Sequence, residues 1–148
     1  MGLDITIYNL NEKDKSAHIG WSYSTIHILR RYACVMLGLP DNNDSESDPK
    51  ARAAFPNLVW HSDAEGYYVG SLPSDYHGND YEEWNERSRL WVGSVKGLYE
   101  ELQKVSAHMI ANKYEGEAKE VLQRLLQMFQ DVNYNPEETY RYAYIIFS

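Results

Sequence analysis

Residues 60–68 read Trp60-His61-Ser62-Asp63-Ala64-Glu65-Gly66-Tyr67-Tyr68. An imidazole, a hydroxyl and two carboxylates stand close together, with aromatic rings on both sides. On an extended backbone Asp63 and Glu65 share one face, and Ser62 and Ala64 the other. Gly66 can supply the positive φ of a turn between a strand at Leu58-Val59-Trp60 and a strand at Tyr67-Tyr68-Val69. Three roles fit these residue types. The carboxylates can do acid–base chemistry if burial separates their pKa values. The same polar groups can bind a ligand from a turn held by a scaffold. They can also bond to nearby backbone N–H groups and do no more than shape the loop.

A second constellation precedes a helix. Gly20 to Thr25 forms a turn in which Ser22 or Ser24 can cap a helix running to Leu37. A helix start receives anions through its free N–H groups and its dipole. Arg30 and Arg31 can add charge there, although neighbouring helical residues point about 100° apart, so at least one should face solvent. A nucleotide-like ligand would draw on both constellations. Tyr23, Trp60, Tyr67 and Tyr68 would stack, Arg30 and Arg31 would meet phosphate, and Ser22, His61, Ser62, Asp63 and Glu65 would hydrogen-bond.

Other chemistries lack their motifs. The five histidines form no His-x-x-x-His pair, and one cysteine gives no zinc-finger spacing. A calcium loop starting at Asp41 needs Gly at its sixth position and Glu at its twelfth. Those positions hold Glu46 and Arg52. Neither a Gly-rich phosphate loop nor a Gly-x-Ser-x-Gly elbow occurs. No catalytic residue, metal site or cofactor is therefore assigned. Cys34 sits in an apolar run and reads as a buried small hydrophobe.

The elements that must position these groups are legible from periodicity. Leu3, Ile5 and Ile7 alternate with polar residues, which predicts a strand over Leu3–Leu10 with one buried face. Asn11 to Ser16 reads as a turn. Ile26, Leu29 and Ala33 predict the buried stripe of the central helix, which Gly38 and Pro40 end. Asp41 to Ala54 is polar and reads as a surface loop. Residues 71–83 are turn-rich, and a helix is expected around Tyr81–Arg89. Leu98, Leu102, Val105 and Met109 mark one long helix. Ala118, Val121, Leu122, Leu125, Phe129 and Val132 mark another, and the break at Tyr114-Glu115-Gly116 makes them an antiparallel hairpin. Tyr140 to Phe147 predicts a closing strand that pairs with the first. The expected fold is α+β and a single domain, 1–148. Its small antiparallel or mixed sheet includes both terminal strands and packs against one central helix and a long C-terminal helical hairpin.

Composition narrows the function. The chain has 148 residues, 43% hydrophobic and 14% aromatic, enough for a core of its own. Thirteen tyrosines and four tryptophans suit ligand walls and interfaces as well as a core edge. A net charge of −8 opposes contact with long nucleic acid, which needs Lys and Arg to displace counterions. It suits a basic partner. With no membrane-length apolar run and no signal-peptide pattern, a cytoplasmic protein is expected.

Met1-Gly2-Leu3-Asp4-Ile5 opening a strand, Gly20 with Ser22-Tyr23-Ser24 before a helix carrying Arg30, and Ser62-Asp63-Ala64-Glu65-Gly66 in mid-chain complete a pattern. It resembles a group of short uncharacterised proteins of phage and prophage genomes. The resemblance covers the first half of the chain. It implies an accessory protein in a bacterial host cell that antagonises host defence, and it brings no activity. Three functions follow. The first is a non-enzymatic binder that sequesters a nucleotide-like ligand. The second is an acidic inhibitor of a host protein, in which Asp41, Asp44, Glu46 and Asp48 mimic phosphates. The third is a small hydrolase built on His61, Asp63 and Glu65. A homodimer is compatible with each.

Overall fold

Alternating apolar residues at the two ends of the chain build the middle of one sheet. In the computed structural model, which describes residues 2–9, 16–59, 91–93, 95–135, 137 and 143–147, strand β1 spans Gly2–Asn9 and β2 spans Ser16–Ser22. Strand β3 is the short Trp91–Gly93, and β4 is Ala143–Phe147. The order across the sheet is β2-β1-β4-β3, and each neighbouring pair is antiparallel. The terminal strands therefore pair as expected, with Ile5 opposite Phe147 and Ile7 opposite Ile145. Ile5 and Ile7 are fully buried, as period-two alternation requires of one face.

Helix α1, Tyr23–Met36, buries Ile26, Leu29, Arg30, Ala33 and Cys34 at spacings of three and one. A short 3-10 turn at Asn43–Ser47 and helix α2, Pro49–Ala54, follow. Helices α3, Val95–Ala111, and α4, Glu117–Asp131, form the hairpin. Leu98, Leu102, Val105 and Met109 of α3, and the α4 residues from Ala118 to Phe129 that were expected in its stripe, are all buried. The architecture is α+β, as the periodicity predicts.

The three long helices of the described residues end in the same way. Gly38 (φ 80), Lys113 (φ 53) and Asn133 (φ 54) adopt the left-handed conformation just past α1, α3 and α4. The next residue's N–H then reaches back five positions: Leu39 to Cys34, Tyr114 to Met109, Tyr134 to Phe129. This Schellman arrangement satisfies carbonyls that the helix leaves open, and an apolar contact usually seals it. At α4 the seal is aromatic: the rings of Phe129 and Tyr134 lie 5.4 Å apart, and Tyr99 of α3 stands 5.3 and 5.2 Å from them. Lys50 of α2 serves α1 similarly, donating its Nζ to the Leu37 carbonyl at 2.8 Å.

Three expectations change in detail. The Asp41–Ala54 segment carries the 3-10 turn and α2 in place of a featureless loop, and it sends Ser45, Glu46 and Ala51 into the interior. Asn42 and Asp48 explain why: their side chains accept the Ser45 and Lys50 N–H groups, capping two helical starts within seven residues. Leu58 and Val59 lie in a turn, not a strand. Val59 N–H bonds to the Phe55 carbonyl, so this segment forms a helix-like turn and extended pairing is lost. At α1, Ser22 occupies the N-cap position, yet its Oγ bonds to Ser24 Oγ (2.6 Å) and Thr25 Oγ1 (3.2 Å) and not to the helix backbone. The expected turn at residues 11–15 and the helix around 81–89 lie outside the described residues. No helix among the described residues is long and apolar enough to cross a membrane.

Strand β4 stands between β1 and β3, so the sheet cannot close without it. Deleting residues 142–148 should abolish cooperative unfolding in a denaturant titration followed by circular dichroism. A truncated chain that unfolds with the midpoint and slope of the full chain would contradict the role assigned to this strand.

Candidate functional site

The two arginines of α1 have different fates, as their 100° separation on a helix dictates. Arg30 is buried, 4% exposed, and its Nε donates to the Leu58 carbonyl at 2.8 Å. The same nitrogen stands 3.9 Å from Glu46 Oε1. Arg31 is partly exposed, with its Nε 3.9 Å from Asp41 Oδ1. Ser22 is exposed and Tyr23 half-buried at the head of the helix, where the Tyr23 ring tilts against His27 at 6.3 Å. Trp60, His61, Ser62, Asp63, Glu65, Tyr67 and Tyr68, the other half of the expected site, lie outside the described residues.

What the structure does assemble is a buried polar cluster at the entrance to that stretch. His27 Nδ1 is 2.8 Å from both carboxylate oxygens of Glu46. Arg30 holds the Leu58 carbonyl. From the opposite side, Glu101 of α3 accepts the Leu58 N–H (2.9 Å), the Asn57 N–H (3.0 Å) and the Asn57 Nδ2 amide (2.6 Å). The Leu58 residue is thus gripped at its N–H by a carboxylate and at its carbonyl by a guanidinium. Burial pushes the Glu101 carboxyl above the ordinary glutamate range, and the three N–H bonds and Lys104 pull it only part of the way back.

Glu101 has no place in the sequence reading. Its one signal was position: it stands three residues after Leu98 and next to Leu102, on the apolar stripe of α3, where a carboxylate must find a partner. Glu46 shows the reverse error. It was grouped with Asp41, Asp44 and Asp48 as a surface phosphate mimic, but it is 9% exposed and faces His27 and Arg30. It cannot meet a partner from there. Asp48 is engaged in capping α2, whereas Asp41, 73% exposed beside Arg31, and Asp44 are both open to solvent.

The larger acidic feature lies elsewhere in the chain. Residues 61–90 carry seven Asp and Glu against two Arg, five of the chain's net eight negative charges. Among the described residues no group of three or more His, Cys, Asp or Glu is placed to hold a metal ion. Cys34 is fully buried, and burial, with Glu46 and Asp48 nearby, pushes its thiol up to about 11. A thiol so protected is a poor nucleophile.

A family model described as "Putative DNA-mimic protein" matches residues 2–146. The chain belongs to that family. The match runs through the sheet, the helices and the 61–90 stretch alike, so membership of the DNA-mimic family is a property of the whole chain. No curated protein and no solved structure matches it.

Two measurements test the cluster. Arg30→Met should destabilise the fold by about 3 kcal/mol, since it strands a buried carboxylate and a buried carbonyl. Arg31→Met should stay within about 0.5 kcal/mol. Equal losses in urea unfolding would mean that Arg30 is not buried among these partners. The second is a pH dependence. A carboxyl whose pKa is raised in the folded state adds stability below the ordinary glutamate range, and that contribution is lost as pH rises through the folded pKa. Glu101→Gln has no such proton. The stability of wild type relative to this variant should therefore fall as the pH rises above the ordinary glutamate range. A constant difference would show that burial does not govern Glu101.

Proposed function

We propose that this chain is a non-enzymatic acidic protein that occupies the DNA-binding face of another protein, its carboxylates standing where phosphates of a duplex would. The carrying observation is membership of the DNA-mimic family over residues 2–146 in a chain of net charge −8. The acids of residues 61–90, with Asp63 and Glu65 at their head, are the main charge source, and Asp44 adds to them. B-DNA presents one charge per roughly 1.7 Å of axis, and a DNA-binding protein answers with clustered Lys and Arg. A competing polyanion meets the same cations. The aromatic residues of the stretch, Trp60, Tyr67 and Tyr68, supply the apolar contacts that a protein partner rewards.

Capture of a nucleotide is the weaker reading. It needs both arginines of α1, and Arg30 is committed to the Leu58 carbonyl. A phage setting, implied by the first half of the chain, makes a DNA-binding protein of host defence the natural target in the bacterial cytoplasm.

The tagged chain should capture a DNA-binding protein from a bacterial lysate and release it to duplex DNA but not to mononucleotides. The complex should weaken steeply between about 50 and 200 mM salt, as phosphate contacts do. Reversing Glu82, Glu83 and Glu86 to Lys should reduce affinity at least tenfold, and Asp44→Lys should do less. A chain that captures nothing DNA can displace, yet gains thermal stability with a mononucleotide, would return the assignment to nucleotide binding.

A further inference from the structure

Among the described residues, strand β2 is the outer strand on one side of the sheet. Such an edge offers a row of N–H and C=O groups to any strand that fits it. Proteins that must keep an edge unpaired place Lys, Pro or inward charges along it. The seven residues Ser16–Ser22 contain no Pro, Lys, Arg, Asp or Glu, in a chain of net charge −8. The strand is neutral where the molecule as a whole repels its own kind.

Its burial is also symmetric. From Ser16 to Ser22 the residues run exposed, buried, exposed, half-buried, exposed, buried, exposed, which reads the same in both directions about Ile19. Ala17, Ile19 and Trp21 face the core, and His18 and Gly20 face solvent. Ile19 lies opposite the fully buried Ile5 of β1, yet remains only half covered, and among the described residues no strand flanks its other side.

We propose that β2 pairs with β2 of a second copy of this chain, antiparallel and centred on Ile19, so that the two sheets become one across a two-fold axis. That register sets Ile19 against Ile19. It sets Ala17, a small residue, against Trp21, a large one, on the core side, and His18 against Gly20 on the solvent side. Small meets large at the Ala17–Trp21 and His18–Gly20 pairs, no like charges are opposed, and the exposed flank of Ile19 is covered. A two-fold contact demands such self-complementarity, and directly opposed side chains are the unit of sheet stabilisation.

Sedimentation velocity of the full chain over a concentration series should give a species of twice the chain mass, favoured by added salt because salt screens the net charge. The proposed partner complex has the opposite salt response, so the two readings fail separately. Ile19→Lys should weaken the dimer at least tenfold with the circular dichroism spectrum unchanged. Disulfide mapping defines the register and still decides if that variant does not fold. Ile19→Cys should cross-link to itself under mild oxidation. Ser16→Cys should cross-link to Ser22→Cys in a mixture but not to itself. Cys34, fully buried, gives no background. A chain that stays monomeric to about 100 μM, a folded Ile19→Lys dimer as tight as wild type, or Ser16→Cys cross-linking to itself would each overturn the proposal.

Discussion

The structure depends on the grip that Arg30 and Glu101 hold on Leu58. A residue in a turn between helices has backbone groups that no ladder satisfies, and burying them unpaired costs about 1–3 kcal/mol each. Here the N–H meets a carboxylate and the carbonyl a guanidinium. The two side chains come from α1 and α3, which are far apart in sequence. Each charge is itself buried and is tolerable only because the other groups of the cluster answer it. Glu46 stands near Arg30 and bonds His27, which brings the 3-10 turn into the same assembly. Four separate segments are thereby tied at one place, and hydrophobic packing alone would not specify their register so tightly.

That place lies three residues before the acidic stretch begins. The described residues on either side of that stretch are tied to the fold, Leu58 by Arg30 and Glu101 and β3 by its pairing with β4. The ends of the helices add to the stiffness. Three Schellman closures and the Tyr99, Phe129, Tyr134 aromatic group leave little freedom where helices usually fray.

The cations of the described residues show how an acidic chain keeps its field. Arg30 is turned inward, Lys50 closes the end of α1, and Lys119 pairs with Glu115 at 2.9 Å. Arg124 lies over the Trp21 ring at 5.1 Å. Each has a role in the fold, but only Arg30 among them is buried, and Lys50 and Arg124 remain exposed. The excess of carboxylates, a net charge of −8, sets the sign of the field at a distance.

Periodicity by itself determined the long helices of the described residues and both terminal strands, because a repeat of 3.6 or 2 records which face is covered, but it missed the short α2. Gly38 and Pro40 marked the end of α1 for equally local reasons. The net charge set the expectation of a basic partner. Tertiary structure alone decided which polar residues face inward. Arg30 and Arg31 are the same residue type at adjacent positions, and only packing against the Leu58 turn separates them. Glu46 looks like its acidic neighbours until His27 and Arg30 are brought across from α1. Glu101 looks like an interruption of an apolar stripe until the Asn57 and Leu58 N–H groups arrive from a segment more than forty residues earlier. Local patterns report burial of a face, whereas the partner of a buried charge is a long-range fact, and it becomes visible only when the chain has folded.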